Sequence, residues 1–241
     1  MTRTIVVTGG GTGIGKAIAA TFAAQGDSVV ITGRRIEPLK EASAELGDRV
    51  SVAVCDGTDP HQVGEFAQGL TGPVDVLVNC AGGNTDFDRD PADGLAALAE
   101  NWRVNLESNL ISAVLMTAAL DDRLASGGTV VHIGSIAADK GAGAYGAAKA
   151  GLASWNIQLA AQLGPRGITA NVVAPGYIAD TEFFRDKLTD ERRDSLIAAA
   201  ATGRAGVPDD IAAAVAFLAS PGARQLTAQV IAVNGGEWPT R

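Results

Sequence analysis

The stretch from Thr4 to Gln25 constrains the fold more than any other. A run of β-branched residues, Thr4–Thr8, passes straight into Gly9-Gly10-Gly11-Thr12-Gly13-Ile14-Gly15, and a helical pattern, Ile14–Gln25, follows without a spacer. Glycines let the backbone turn tightly between a strand and a helix and approach a ligand closely. A phosphate then sits at the positive end of the helix, where the first N–H groups have no partners of their own. A glycine run alone also serves ordinary turns. Its place after the first strand and before a helix is what marks a dinucleotide site, with Gly9, Gly11, Thr12, Gly13 and Ile14 around the pyrophosphate. No Lys-Ser or Lys-Thr follows the glycines, which argues against a P-loop nucleotidase.

The same rhythm continues along the chain. Val- and Ile-rich runs at Thr4–Thr8, Ser28–Thr32, Val50–Val54, Val74–Asn79, Thr129–Ile133, Ile168–Ala174 and Gln229–Asn234 lack polar alternation, as expected of parallel strands covered on both faces. Helical patterns at Ile14–Gln25, Pro38–Leu46, Gln62–Leu70, Leu95–Leu120, Tyr145–Leu163 and Asp209–Ser220 separate them. This alternation predicts a doubly wound α/β sheet of about seven parallel strands, Rossmann-like, in one domain over residues 1–241. One segment, about 177–207, breaks the pattern. It carries no strand signal, only a charged and predicted helical stretch, Thr181–Ala201, with Phe183 and Phe184 near its start. So long an excursion inside a compact domain is usually a functional lid, with a surface helical hairpin as the alternative.

The formal charge of −8 argues against nucleic acid, which needs an excess of Lys and Arg. The apolar stretch after Arg3 is too short for a secretory signal and nothing approaches a membrane span, so the expected compartment is the cytoplasm. Cys55 and Cys80 lie in apolar runs and read as reduced, buried thiols, and His61 and His132 offer no metal spacing.

The second strand ends at Thr32-Gly33-Arg34-Arg35. In nicotinamide-binding folds an acidic residue here holds the ribose 2′-hydroxyl and repels a 2′-phosphate. Gly33 stands there instead, followed by two guanidinium groups, whose planar fork suits a phosphate. The reading is NADP(H) in preference to NAD(H), with a solvated Arg-Arg turn as the bland alternative. Farther on, Tyr145 and Lys149 stand four apart at the start of a helical pattern, on one face. A tyrosine hydroxyl, with a pKa of about 10, is a poor acid–base group near neutrality. The expectation is that the neighbouring ammonium pulls it down into the working range. Ser135, at a strand end, can polarise a carbonyl oxygen, although a serine there is most often a cap.

Together these pieces resemble the short-chain dehydrogenase/reductase family over essentially the whole chain. The matching runs are TGGGTGIG at Thr8–Gly15, NCAG at Asn79–Gly82, VNL at Val104–Leu106, Ser135, Tyr145-Gly-Ala-Ala-Lys149, Pro175-Gly176, the GRAGVPDDIAAAVAFLAS run from Gly203, and QVIAVNGG from Gln229. The resemblance implies a catalytic tetrad of Asn105, Ser135, Tyr145 and Lys149. Tyr145 is then the acid–base group, Lys149 also holds the nicotinamide ribose, and Asn105 supports a water linking Lys149 to solvent. It implies further cofactor contacts at Arg34 and Arg35, Asp56 on the adenine edge, Asn79, Ala81 and Gly82 on the adenosine side, Pro175 and Gly176, and Ile178 and Thr181 near the nicotinamide carboxamide. It also implies a homo-oligomer, most simply a tetramer, built on Leu95–Leu120, Tyr145–Leu163 and the tail bearing Trp238.

Three departures stand out: Cys80 in place of the usual second asparagine, Gly134 where many members have a serine, and a short Ser135–Tyr145 interval. The reaction expected is ketone–alcohol interconversion by hydride transfer, with 3-oxoacyl thioesters or polyketide-like ketones as substrates. An NAD-dependent alcohol or sugar dehydrogenase is the second reading, and a non-catalytic nicotinamide sensor or scaffold the third. Arg34 and Arg35 argue against the second, and the presence of both Tyr145 and Lys149 against the third.

Overall fold

A computed structural model describes residues 2–88, 93–184 and 187–239. Strand and helix alternate as β1 (Thr4–Thr8), α1 (Gly13–Ala24), β2 (Ser28–Gly33), α2 (Ile36–Leu46), β3 (Val50–Val54), α3 (Pro60–Gly69), β4 (Val74–Asn79), α4 (Gly94–Leu106), α5 (Ser112–Leu120) and β5 (Leu124–Ile133). They continue as α6 (Ala137–Lys140), α7 (Gly143–Leu163), β6 (Thr169–Pro175), α8 (Asp190–Ala199), α9 (Pro208–Leu218) and β7 (Val230–Val233). The strands form one parallel sheet in the order β3-β2-β1-β4-β5-β6-β7, the doubly wound architecture read from the sequence.

Side chains of a strand alternate between faces, so each strand feeds two cores. Ile5 and Val7 of β1 join α1, α2 and α9 through Phe22, Leu39 and Ile211, while Val6 joins α3, α5 and α7 through Phe66, Met116 and Leu163. Both faces are dry, which is why the strands are uninterrupted Val/Ile runs. Among the described residues, no helix is long and apolar enough to cross a membrane.

The strand order reverses between β1 and β4, and the connections leaving those two strands diverge to opposite faces. A doubly wound sheet opens its ligand crevice at such a point, beyond the carboxyl ends of the strands. The glycine run after β1, the NCAG run after β4, Ser135 after β5 and Pro175-Gly176 after β6 lie at that edge.

Most expected elements shift by no more than two residues at an end, and three differ by more. β5 begins at Leu124 rather than Thr129, pairing with Val74 across a register shift, because Gly127 and Gly128 interrupt its apolar pattern. The helix expected over Leu95–Leu120 runs as α4 and α5 joined by a π turn at Glu107–Ile111. Asn109 Nδ2 donates to the Asn105 carbonyl at 3.0 Å, and an amide inserted into the i→i−4 ladder widens it. The helix expected over Thr181–Ala201 is confined to Asp190–Ala199, with positions 185 and 186 of that stretch outside the described residues. The Thr189 hydroxyl caps α8 by accepting the Arg192 N–H at 3.2 Å, with Asp190 and Glu191 in the first turn. The excursion is closed at its neck by backbone bonds from Gly206 N to Tyr177 O (3.0 Å) and Ala179 N to Gly206 O (2.8 Å).

Candidate active site

The crevice between β1 and β4 is built by close backbone contacts. The Thr8 hydroxyl accepts the N–H groups of Cys80 and Ala81, each at 3.0 Å, so the chain leaving β4 is fastened to the end of β1. Gly9, at φ +68°, passes so near that a Cβ there would lie 2.9 Å from Ala81 Cα, and a Cβ on Gly15 would lie 2.2 Å from the Gly9 carbonyl. These two glycines let α1 start directly against the loop. Thr12 precedes α1 in extended conformation and makes no side-chain cap, so the N–H groups of Gly13, Ile14 and Gly15 open onto the crevice. An uncapped helix start beside close-packed glycine backbone fits a pyrophosphate.

The other sequence-predicted cofactor residues fall around this edge. Gly11 backs onto the start of α2, with a Cβ there 3.2 Å from Leu39 N. Arg34 and Arg35 are both exposed in the turn after β2, and Arg35 is ion-paired at 2.9 Å with Glu182 of the excursion. Asp56 follows β3, its carboxylate accepting Thr58 N (3.0 Å) and Thr58 Oγ1 (2.8 Å). Asn79 ends β4, but its side chain turns inward: Nδ2 donates to Thr117 Oγ1 (2.9 Å) and to His132 Nδ1 (3.1 Å). Burial drives the His132 pKa down to about 3, so the ring is the neutral acceptor this bond requires. Gly82 lies against the Asn109 carboxamide, and Gly83 exchanges bonds with it, N to Oδ1 and O from Nδ2, both 2.9 Å. Pro175 ends β6, Gly176 N donates to Val233 O (3.4 Å), and Ile178 is buried at the excursion neck. Thr181 reaches the glycine loop, where a Cβ on Gly13 would lie 3.5 Å from its methyl.

Ser135, Tyr145 and Lys149 converge at the end of β5. Ser135 lies close enough to the Tyr145 hydroxyl to favour its phenolate, and Ser135 Oγ accepts Ala137 N at 3.1 Å. Lys149 lies one turn beyond Tyr145 on the same face of α7, with Nζ 5.8 Å from the Tyr145 ring centre. Both side chains are almost fully buried, at 6% and 5% exposure.

The electrostatics correct one expectation. Lys149 does not pull the Tyr145 pKa into the working range. Burial pushes that pKa up to about 12, opposed by Ser135, with nearby Cys80 adding a small upward push. The ammonium is committed elsewhere: Nζ donates to the Ile133 carbonyl at 2.8 Å, and burial lowers its own pKa to about 8. At neutral pH the pair is therefore a phenol beside an ammonium. Asn105 is fully buried. Its side chain holds the loop after β4, accepting Thr85 N (3.3 Å) and donating to Asp86 Oδ1 (2.8 Å), while its carbonyl takes the Asn109 amide.

The departures from the family pattern have local reasons. A Cβ on Gly134 would lie 2.6 Å from Val172 Cγ1, so that rim has no room for a serine. The short interval after Ser135 folds into α6, and Lys140 of α6 pairs at 2.6 Å with Glu237 of the tail. Cys80 is half-buried, with burial holding its thiol near 12, and its N–H makes the bond to Thr8. Thr8, Asn109, Phe87 and Glu182 were not singled out from the sequence. Asn109 carried a signal, since it stands one helical turn from Asn105, whereas the others acquire meaning only through contacts distant in sequence.

A family model described as enoyl-(acyl carrier protein) reductase matches residues 9–237. The chain is 36% identical to nodulation protein G of Rhizobium sp. (strain N33), over 97% of this chain and 96% of that one. It is 37% identical to the 3-oxoacyl-[acyl-carrier-protein] reductase of Escherichia coli (strain K12), over 96% and 95%. The chain belongs to the short-chain dehydrogenase/reductase family. It is an enzyme of the oxidoreductase class, as the family is. Among solved structures, a family member from Brucella melitensis titled glucose/ribitol dehydrogenase is similar at a TM-score of 0.88 and 31% identity, over 99% of this chain and 97% of that one. A blue fluorescent protein from a metagenomic library, solved in complex with NADPH, is similar at 0.85 and 32%, over 98% and 97%.

A buried ammonium is a stability cost with a definite pH signature. The unfolded chain holds this lysine proton more tightly than the folded one, so the penalty is complete below a pH of about 8 and fades between that value and 10.5. Lys149→Met is expected to raise stability near neutrality by about 2 kcal/mol, once the lost bond to Ile133 is set against relieved desolvation. Denaturant unfolding across pH checks this: the gap should close on the alkaline side, and a gap independent of pH contradicts a buried charge.

Proposed function

We propose that the chain is an NADPH-dependent ketoreductase in which Tyr145 is the acid–base group. The observation that carries this reading is the convergence of Ser135, Tyr145 and Lys149 beside the crevice at the β1–β4 reversal. Two hydroxyls meeting at one point have an oxygen to bind, which favours a carbonyl over an isolated C=C bond. Gly9, Gly11, Thr12, Gly13 and Ile14 hold the pyrophosphate. Asp56, Asn79, Ala81 and Gly82 border the adenosine, and Pro175, Gly176, Ile178 and Thr181 the nicotinamide. When bound, NADPH supplies the hydride.

Ser135 orients the carbonyl oxygen, and Tyr145, a neutral phenol at working pH, gives that oxygen its proton. The Lys149 ammonium then faces a phenolate, and in a dry site it stabilises the anion far more than the phenol. That difference lowers the barrier although the resting Tyr145 pKa is high. Asn105 keeps the α4–α5 junction and the neighbouring loop in register with Lys149. NADPH oxidation, followed by absorbance against a panel of ketones and a 2-enoyl thioester, tests the assignment. In this assay Tyr145→Phe is expected to lose roughly 10²–10⁴-fold in kcat while NADPH affinity stays nearly unchanged. Turnover close to wild type removes Tyr145 from the mechanism.

Cofactor choice rests on the turn after β2. Arg35 is already engaged by Glu182, so the 2′-phosphate falls chiefly to Arg34. A charge-assisted contact corresponds to about tenfold to a hundredfold in affinity, which is the expected preference for NADPH in kcat/KM. A Cβ on Gly33 would meet only Leu39 methyls at 3.8–4.0 Å, so the turn accepts a side chain there. Gly33→Asp with Arg34→Ser should reverse the preference, because a carboxylate accepts from a free 2′-hydroxyl and repels a phosphate. Equal kcat/KM for NADH and NADPH in the wild type excludes the role given to Arg34.

The assembly proposed is a homotetramer. Leu95, Leu98 and Trp102 make an exposed stripe along α4, with Leu95 85% exposed, and Ile157 of α7 and Trp238 are exposed as well. Apolar stripes of this kind mark contact surfaces, and copies of one chain close them by symmetry. Light scattering at micromolar concentration should give the tetramer mass, and a monomer would leave these faces unexplained.

A further inference from the structure

Five aromatic rings form a connected wall beside the proposed reaction centre. Phe183 lies 5.6 Å from the Tyr145 ring, centre to centre, and 5.7 Å from Phe87 at an interplanar angle of 90°. Phe184 completes the group at 4.9 Å from Phe183, 5.6 Å from Phe87 and 5.8 Å from Tyr177. The chain has six phenylalanines and two tyrosines, and five of those eight rings meet here. Phe87, Tyr177, Phe183 and Phe184 are half-buried and belong to neither core cluster, so they do not serve as core filler.

The wall is fixed from behind. The buried Asn105 carboxamide grips Thr85 and Asp86, immediately before Phe87. On the other side Thr181 Oγ1 donates to Ile178 O at 3.2 Å, Glu182 pairs with Arg35, and the neck bonds at Gly206 hold Tyr177. Rings set edge to face in this way present both a π face and a positively polarised edge to anything entering beside Tyr145.

We propose that this wall sets the substrate class: a carbonyl borne on, or conjugated to, a flat ring, such as a bicyclic aryl ketone, in preference to a linear acyl chain. The inference rests on the ketoreductase reading. The ring lies against Phe183 and Phe87, and its carbonyl oxygen reaches Ser135 and Tyr145. A flat ring gains the quadrupole contact as well as burial, and it loses little conformational freedom on binding, whereas a flexible acyl chain gains only burial.

The test uses the full-length protein and two probes, tetralone and a linear 3-oxoacyl thioester of N-acetylcysteamine. Wild type is expected to favour tetralone in kcat/KM. Phe183→Leu and Phe87→Leu should each cut the tetralone-to-thioester ratio by about three- to tenfold, mainly through KM. Phe183→Tyr, which keeps a ring, should restore the ratio, a rescue that a purely structural role does not predict. Calorimetric binding of tetralone to Tyr145→Phe with NADP⁺ gives a readout independent of turnover. Preference of the wild type for the linear thioester, equal losses on both probes in the leucine variants, or absence of tetralone binding each overturns the proposal. Ring-dependent binding without turnover of any carbonyl overturns the ketoreductase reading and leaves the aromatic site standing.

Discussion

The Thr8 hydroxyl accepts two backbone N–H groups from the chain leaving β4, and the carboxyl edge of the sheet is organised around that contact. Where the strand order reverses, the loops after β1 and β4 part to opposite faces and no ladder holds them together. The side-chain oxygen supplies the missing fastening, and the absence of a Cβ at Gly9 lets the two backbones close to contact. With that edge fixed, the open N–H groups of α1 and the end of β4 share one crevice. The parallel register of β4, β5 and β6 then brings Asn79, Ser135 and Pro175 to the same rim. Ile136 N, donating to Pro175 O at 3.1 Å, ties the last two together.

On that rim the fold keeps a cation in a dry place. An ammonium this deeply buried is tolerated because the Ile133 carbonyl meets it and because its pKa falls toward neutrality. The same burial that costs stability strengthens the field of the charge on a neighbouring oxygen. The neutral His132 lies nearby, and its low pKa keeps a second positive charge away from Lys149. In the mechanism proposed, stability and chemistry pull in opposite directions at this residue, as they commonly do where a site is built from unfavourable burial.

Legibility in the sequence followed the range of the interactions. β1, β3 and β4 have the bounds their Val/Ile runs predict, since a strand buried on both faces announces itself locally. The first half of β5 did not, because Gly127 and Gly128 carry no pattern and Leu124 pairs with Val74 only across a register shift. The π turn was invisible because it depends on the Asn109 side chain entering the backbone ladder, not on propensity. Tyr145, Lys149 and Ser135 were legible as residues. The state of their protons was not, because the fate of the ammonium depends on a carbonyl from β5 and on burial by the whole fold. The aromatic wall was half legible: Phe183 and Phe184 stood out, but nothing near Phe87 in sequence joins it to them.

The excursion gains its importance from three consecutive residues that face three different neighbours. The Thr181 methyl lies beside Gly13, Glu182 pairs with Arg35, and the Phe183 ring meets Tyr145 and Phe87. One short piece of chain thus touches the start of α1, the turn after β2, the loop after β4 and the start of α7. Its neck is fixed by backbone bonds, whereas its tip is held by an exposed ion pair, worth no more than about 1 kcal/mol, and by ring contacts of similar size. Thr181, Glu182 and Phe183 are consecutive, so their three contacts are joined through one stretch of backbone. Whatever draws Arg35 from Glu182, or separates Phe183 from Phe87, therefore acts on all three contacts. A ligand whose binding displaced one of these contacts would, by linkage, alter affinity for whatever binds at the others.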